Sequence, residues 1–260
     1  MQMYADKVVP LVSVIMPAYN AAPFIEEAIC SVIGQTVTDW ELFVIDDGSS
    51  DESFQIAQKL ASDDSRIHVL QNAENMGVAK TRNRGMELCK GHYVAFLDSD
   101  DYWKPQMLER MISRAEETAA DIVYCSYELV DEGGKKVCND FVVPLATTFK
   151  ESIIRSVITC STVLITGELA KNHRFPTNMY HEDIALWFQI LRDGGTARGV
   201  PEILAAYRQR AGSRSAGKLT SAKRRWTIYR EHLGLSFIQC IVVMLRYAYY
   251  GIIKYRRIAD

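Results

Sequence analysis

Residues 94 to 103 read VAFLDSDDYW, four apolar strand-forming residues followed at once by Asp98, Asp100 and Asp101. A short apolar run that stops at polar turn formers is the pattern of a buried strand. Like charges crowded at its mouth repel one another unless something cationic sits among them, so the fold has to bring a cation to this strand end. Working outward, similar apolar runs occur at 12–16, 42–45, 67–70 and 93–97, each followed by polar residues and a helical pattern. This alternation predicts parallel strands with crossover helices over 23–34, 50–61, 77–91 and 105–118. The fold class is therefore α/β, a Rossmann-like, mainly parallel sheet flanked by helices.

In such a sheet the polar segments past the carboxyl ends of the strands converge on one crevice, where ligands bind. Here they are PAYN (17–20), DDGSSD (46–51) and DSDD (98–101), and two of the three are acidic. The Asp98-Ser99-Asp100 triplet offers hard oxygen ligands of the kind that Mg²⁺ or Mn²⁺ shares with waters and phosphate oxygens. Acidic triplets are also common in solvated loops, and position at a strand end is what lifts this one above them. In DDGSSD, Ser49 or Ser50 could cap the following helix, while Asp46 and Asp47 could accept hydrogen bonds from an imide N–H or a hydroxyl, both of which a nucleotide supplies. Beyond residue 120 the alternation loosens. Two apolar stretches flank EGGK (132–135) as an expected hairpin, TCSTVLIT reads as a buried strand, and HEDIALWFQIL as a helix with Ile184, Trp187, Phe188 and Leu191 inward. Acidic residues at that helix start would in any case complement its dipole.

Composition sets the outer bounds. The chain has 260 residues, 48% of them hydrophobic, enough for a substantial core. Six cysteines stand singly, without the close spacing of a zinc site or a disulfide framework, which suggests a reducing, cytosolic compartment. The opening residues are read as leading into a first strand rather than as a secretory leader. The formal net charge of −2 conceals a segregation, because residues 208–260 carry 12 Lys/Arg against 2 Asp/Glu.

Taken in order, VSVIMPAYN (12–20), Gln35-Thr36, FVIDDGSSD (43–51), Asn75-Met-Gly, Lys80-Thr-Arg-Asn83 and FLDSDD (96–101) resemble family 2 glycosyltransferases of the GT-A fold over roughly residues 11–215, in particular those of bacterial O-antigen and surface polysaccharide assembly. The resemblance implies a UDP-sugar donor, with Pro17, Ala18, Tyr19 and Asp47 lining the uridine pocket, Asn20, Asp46 and Ser99 also on the nucleotide side, and Lys80 or Arg84 near the base. It implies Asp100 as direct ligand of Mn²⁺ or Mg²⁺, Asp98 at the ribose or the metal, and a structural Asp101. Glu182-Asp183 matches the family's acidic pair, which makes Asp183 the expected base and Glu182 its neighbour. A single in-line displacement would invert the anomeric centre. Residues 207–215, YRQRAGSRS, resemble the family's flexible segment over the diphosphate, with Arg208, Arg210, Ser213 and Arg214 as expected ligands. Arg210 stands where a histidine is common, which removes an obvious third protein ligand for the metal.

The expected division is a catalytic domain over 1–215, with a nucleotide half at 11–103 and an acceptor and base half at 104–215, followed by a basic, amphipathic helical tail at 216–260. Residues 233–253 are largely apolar and bracketed by basic residues, but Arg246 within them disfavours a span. The tail is expected either to lie on an anionic membrane surface, on the inner face of the cytoplasmic membrane, or to pack on the catalytic domain or a dimer partner. Ala222-Lys-Arg-Arg-Trp226 lacks the glutamine of the processive-synthase signature. The expected activity is inverting transfer of one hexose, glucose first, to a polyprenyl-diphosphate-linked saccharide, with no nucleic-acid partner. A sugar-phosphate nucleotidyltransferase would want a Gly-rich, basic loop after the first strand, which PAYNAAPF does not supply, and a non-catalytic carbohydrate-assembly protein would not need Asp100 and Asp183 intact.

Overall fold

A computed structural model describes residues 9–209 and 218–259. The first half alternates as expected: β1 (Val12–Ala18), α1 (Ile25–Ile33), β2 (Trp40–Asp46), α2 (Ser53–Asp63), β3 (Ile67–Gln71), α3 (Val78–Leu88) and β4 (Tyr93–Phe96). Then come β5 (Tyr102–Trp103), α4 (Met107–Thr118), β6 (Ile122–Val130), β7 (Ala146–Thr147), α5 (Phe149–Arg155), β8 (Val163–Thr166), α6 (Gly167–Asn172), α7 (Glu182–Arg192) and β9 (Ala197–Arg208). The tail holds α8 (Lys218–Thr227), a π-helical turn (Ile228–His232) and α9 (Phe237–Ala259).

The sheet runs β3-β2-β1-β4-β8-β6-β9-β5, with β7 also on β9. Strands β1 to β4 pair in parallel, but β8 runs antiparallel to both β4 and β6, and β5 and β7 are antiparallel to β9. The sheet is thus mixed, with its longest ladders parallel as expected, including β6 on β9, and short antiparallel ones at β8, β5 and β7. The reversal falls where the strand–helix alternation loosens in the sequence, since β8 enters from a short 3₁₀ turn at Cys160–Thr162 instead of a crossover helix.

Alternate residues of a strand face opposite sides of its sheet, and β1, buried throughout, feeds two cores. Val12, Val14 and Met16 pack with α1 and α4 residues such as Ile25, Ile29, Met107 and Met111. Ile15 faces the other way, among Met86, Phe96, Phe175 and Trp187. Helix α3 lies so close to that second face that a Cβ at Gly85 would come within 2.5 Å of Ile15 Cγ2, so only glycine fits there.

Helix α2 starts later than expected and is not capped by Ser49 or Ser50; its cap position is Glu52, without a side-chain hydrogen bond. Both serines are engaged elsewhere. Asn20, at φ 48°, donates its N–H to Ser49 Oγ at 2.9 Å, and its Oδ1 accepts from Ser50 N at 2.9 Å. The expected hairpin forms in part. Asp131 holds the Gly133-Gly134 turn, but the returning run meets β6 through isolated pairings at Lys136 and Phe141 and the Val143 N–H to Ser126 Oγ at 3.0 Å, not as a strand.

The tail packs on the catalytic unit along one face. Ile228, Tyr229, Leu233 and Cys240 form a third core with Ile153 of α5 and Ala185 and Phe188 of α7, and the Tyr229 hydroxyl donates to the Ile153 carbonyl. The other face of α9 leaves Phe237, Ile238, Ile241, Val242, Leu245 and Tyr249 exposed. Among the described residues no helix is long and apolar enough to cross a membrane.

Candidate active site

The three polar segments meet at the carboxyl ends of β1, β2 and β4, and a buried cation stands among the acids. Arg82 of α3 donates from Nη2 to Asp98 Oδ1 at 2.6 Å and from Nη1 to Glu182 Oε1 at 2.8 Å. Its side chain is 4% exposed, against 30% for Asp98 and 6% for Glu182. Burial alone would lower the pKa of Arg82, but Asp98 and Glu182 more than offset it and hold the guanidinium protonated. One planar fork therefore joins the acidic loop after β4 to the acidic start of α7, a geometry that lysine cannot reproduce.

Sequence reasoning placed Lys80 or Arg84 near the base and passed over Arg82, although a signal was there. Ala79, Arg82 and Met86 recur at i, i+3 and i+7, the buried stripe of a helix, whereas Lys80 and Arg84 share the other side. Lys80 is exposed. Arg84 donates to the Gln71 carbonyl at 2.9 Å and to Asn72 Oδ1, so it braces the loop behind Asp47.

The Asp98–Asp101 loop is fixed from behind. Asp101, 2% exposed, accepts from Ser161 Oγ at 2.5 Å and from Arg208 N at 2.8 Å, while Ser161 Oγ accepts from Asp98 N at 3.1 Å. Burial, then the nearby Asp100 and Asp98, push the Asp101 carboxyl well above the usual carboxylate range. Asp101 thus closes its own loop through its N–H on the Asp98 carbonyl at 3.0 Å and, with its carboxyl, reaches across to β9 and the 3₁₀ turn.

Arg208 requires a correction. Its Nε donates to the Asp100 carbonyl at 2.8 Å, its Nη1 to the Glu132 carbonyl at 2.8 Å and its Nη2 to Glu27, and the guanidinium lies 4.8 Å from the Phe24 ring. At 5% exposure it clamps the acidic loop from the inside and is not placed to take a diphosphate. Arg210, Ser213 and Arg214, the other expected diphosphate ligands, lie outside the described residues.

Among the residues expected at the nucleotide, Pro17 and Ala18 close the buried end of β1, beside Ile45 and Asp46 of β2. Tyr19 projects at 49% exposure at the crevice mouth, and Ser99 is buried. Asp47 is committed to structure, since Oδ1 accepts from Asn72 Nδ2 at 2.7 Å and Met76 N at 2.9 Å, and Oδ2 from Gly77 N at 2.8 Å. Gly77 there has φ 87°, where a side chain would be strained. Asp46 Oδ2 accepts from Ser49 N and Gln71 Nε2, each at 3.0 Å, while its Oδ1 is buried without a hydrogen-bond partner among the described residues. An orphaned buried acceptor at a strand end suits the N–H or O–H of a ligand.

Asp183 occupies the first turn of α7, beside Glu182, and is half-buried. Burial first, then Glu182, raise its pKa to about 6, with Arg82 and the Ile184 N–H pulling the other way. A carboxylate so tuned is ionised near neutrality yet basic enough to accept a proton. For a metal, no cluster of three or more His, Cys, Asp or Glu occurs among the described residues. Asp98 and Asp100 supply two hard oxygen donors, a set that fits Mg²⁺ or Mn²⁺ completing its shell with waters and phosphate oxygens.

The family model for glycosyl transferase family 2 matches residues 13–137. The chain is 37% identical over 239 residues to the putative teichuronic acid biosynthesis glycosyltransferase TuaG of Bacillus subtilis (strain 168), covering 92% of this chain and 95% of that one. It is 35% identical over 247 residues to the UDP-Glc:alpha-D-GlcNAc-diphosphoundecaprenol beta-1,3-glucosyltransferase WfgD of Escherichia coli, with 94% and 95% covered. Among solved structures, S. aureus TarS 1–349 in complex with UDP-GlcNAc superposes with a TM-score of 0.70 at 21% identity, over 91% of this chain and 71% of that one. The mannosyltransferase PcManGT of Pyrobaculum calidifontis, with GDP-Man and Mn²⁺, gives 0.65 at 20% identity, over 88% and 64%. The fold is that of the GT-A glycosyltransferases. The chain belongs to glycosyltransferase family 2.

Proposed function

We propose that this glycosyltransferase moves glucose from UDP-glucose to a hydroxyl of a polyprenyl-diphosphate-linked sugar, with inversion to a β-linkage, during surface-polysaccharide assembly. The observation that carries the chemistry is the Arg82 bridge, which ties the acidic loop after β4 to the start of α7, where Asp183 stands next to Glu182. WfgD and its relative WfaP are both named for that donor and for GlcNAc-diphosphoundecaprenol as acceptor, and each is at least 33% identical to this chain over 94% of its length. We assign residues 1–215 to catalysis and 216–260 to the tail, with donor and acceptor halves dividing near 103.

In this reading the uracil and ribose occupy the ends of β1 and β2, where Tyr19 and the orphaned Asp46 Oδ1 await them. Asp100, with Asp98, would hold Mn²⁺ or Mg²⁺; when bound, the ion neutralises charge on the diphosphate as it leaves. Asp183 accepts the proton of the attacking hydroxyl while the new C1–O bond forms and the C1–O bond to UDP breaks on the opposite face. Glu182, held by Arg82, keeps the start of α7 in place. Asp100→Ala is expected to lower transfer by about 100-fold or more and to raise the Mn²⁺ concentration needed for half-activity. Product assays across a Mn²⁺ titration check this, and turnover like that of the unaltered enzyme ends the assignment.

The exposed face of α9 presents six large apolar residues between positions 237 and 249, beside basic flanks. We assign it to the inner face of the cytoplasmic membrane, lying flat at the level of the headgroups. Removing the whole tail would also strip Leu233 and Cys240 from the third core, so a surface change is the cleaner test. Ile238→Glu with Leu245→Glu is expected to weaken co-sedimentation with anionic vesicles by at least about tenfold, without altering the far-UV spectrum. Unchanged vesicle binding would overturn the assignment.

A further inference from the structure

Strand β8 runs against β4, and that reversal brings the turn before it to the catalytic end of the sheet. Ala95 stands opposite Leu164, and following the same register three residues further sets Ser161 opposite Asp98. A parallel β8 would have left this turn at the far end. Ser161, 2% exposed, lies in the 3₁₀ turn Cys160–Thr162 and meets the acidic segment at three points. Its Oγ accepts from Asp98 N at 3.1 Å and donates to Asp101 Oδ2 at 2.5 Å, and its carbonyl accepts from Trp103 Nε1 at 2.7 Å. A hydroxyl has one proton to give, so the bond to Asp101 fixes its direction and turns a lone pair to the Asp98 N–H. The contacts stand on either side of Asp100.

Asp98 is therefore held from two sides, its N–H on Ser161 and its Oδ1 on Arg82, while its Oδ2 takes no hydrogen bond among the described residues. Its side chain remains 30% exposed. Resting on the metal reading proposed above, we infer that Ser161 is the positioning residue of the metal loop. Its hydroxyl fixes the backbone at Asp98 and the carboxyl at Asp101, and so sets the span across which Asp98 and Asp100 share the ion. Groups that orient the ligands of a metal change its affinity by about 10–100-fold when they are removed. An alanine at 161 strips the Asp98 N–H and Asp101 Oδ2 of this partner together, which frees both ends of the span at once.

The test is Mn²⁺ binding to the UDP-loaded enzyme, followed by the electron paramagnetic resonance of the free ion, which needs no turnover. Ser161→Ala is expected to raise the dissociation constant for Mn²⁺ by about tenfold or more, while kcat at saturating Mn²⁺ changes little. The acidic limb of the pH profile should stay in place, because Arg82 keeps its bond to Glu182. Ser161→Thr, which keeps the hydroxyl, should regain most of the affinity. Should the alanine variant fail to fold, Ser161→Cys carries the same test, since a thiol fills the space but is a weak donor and acceptor. Thr162→Val is the control: Thr162, 1% exposed in the same turn, spends its hydroxyl on Thr159, so its loss should leave Mn²⁺ affinity unchanged. Unchanged affinity in the folded Ser161 variant, or an equal loss in Thr162→Val, overturns the role. If the unaltered enzyme takes up no Mn²⁺, the metal reading falls and the role with it; if it does and Ser161→Ala binds equally well, the metal stands and the role alone falls. Mn²⁺ binding that depends on Ser161 in an enzyme that transfers no glucose keeps the role and removes the proposed donor.

Discussion

Replacing Asp183 with Asn is expected to cut kcat by about 10²–10⁴-fold while leaving donor binding and the fold intact, the range over which a positioned general base acts. The side chain is isosteric, and the start of α7 keeps Glu182 and its Arg82 partner, so little besides the proton acceptor is lost. The pH profile gives the same assignment a second reading. The base works in its ionised form, and its pKa is raised to about 6. Activity should fall about tenfold per pH unit below that value and level off above it. A profile flat down to pH 5 in the unaltered enzyme, or an Asn variant at full turnover, would remove Asp183 from the role.

Arg82→Met is expected to be the most damaging single change to the fold near the site. It removes the buried guanidinium that Glu182, at 6% exposure, shares with Asp98, and breaking a buried ion pair in this way costs about 3–5 kcal/mol. For a chain of this size the expected fall in Tm is about 10 °C. Because Arg82 pulls the Asp183 pKa down, whatever activity survives should have its acidic limb at higher pH. Arg82→Lys keeps a charge but can satisfy only one carboxylate well, so it should fall between the two. Thermal melts and pH profiles of both variants check this, and a methionine variant as stable as the parent would refute the bridge.

Local pattern carried the first half of the fold. Apolar runs ending in turn residues are a local signal, and β1 to β4 and the helices between them lie where that signal put them. The reversal at β8 was not legible, because antiparallel and parallel strands share the same apolar composition and the difference lies in how the chain returns. Charge was the harder problem. The crowding of Asp98, Asp100 and Asp101 raised the question of a cation, and the answer sat within Lys80-Thr-Arg-Asn-Arg84, where three basic residues look alike until the helical stripe separates them. Arg208 shows the opposite error. A basic residue in a Gly/Ser-rich, phosphate-suited segment was read by its chemistry, whereas its place at the last residue of β9 commits it to Asp100, Asp101 and Glu27. The tail packs on the catalytic unit, one of its two expectations, and sequence could not say which face of the helix that packing covers.

The Arg208 clamp also bears on how the chain reaches this state. It joins Asp101 across 107 residues and Glu27 across 181, so the acidic loop gains its backing only after β9 has been made and docked. Closing loops of that length is slow relative to local helix formation. During synthesis the parallel strands emerge long before their last brace, and until then Asp98, Asp100 and Asp101 repel one another without the contacts that hold them together. The Asp98–Asp101 loop is consequently expected to be among the last parts of the molecule to become ordered, because a nascent chain that stops short of residue 208 lacks this brace.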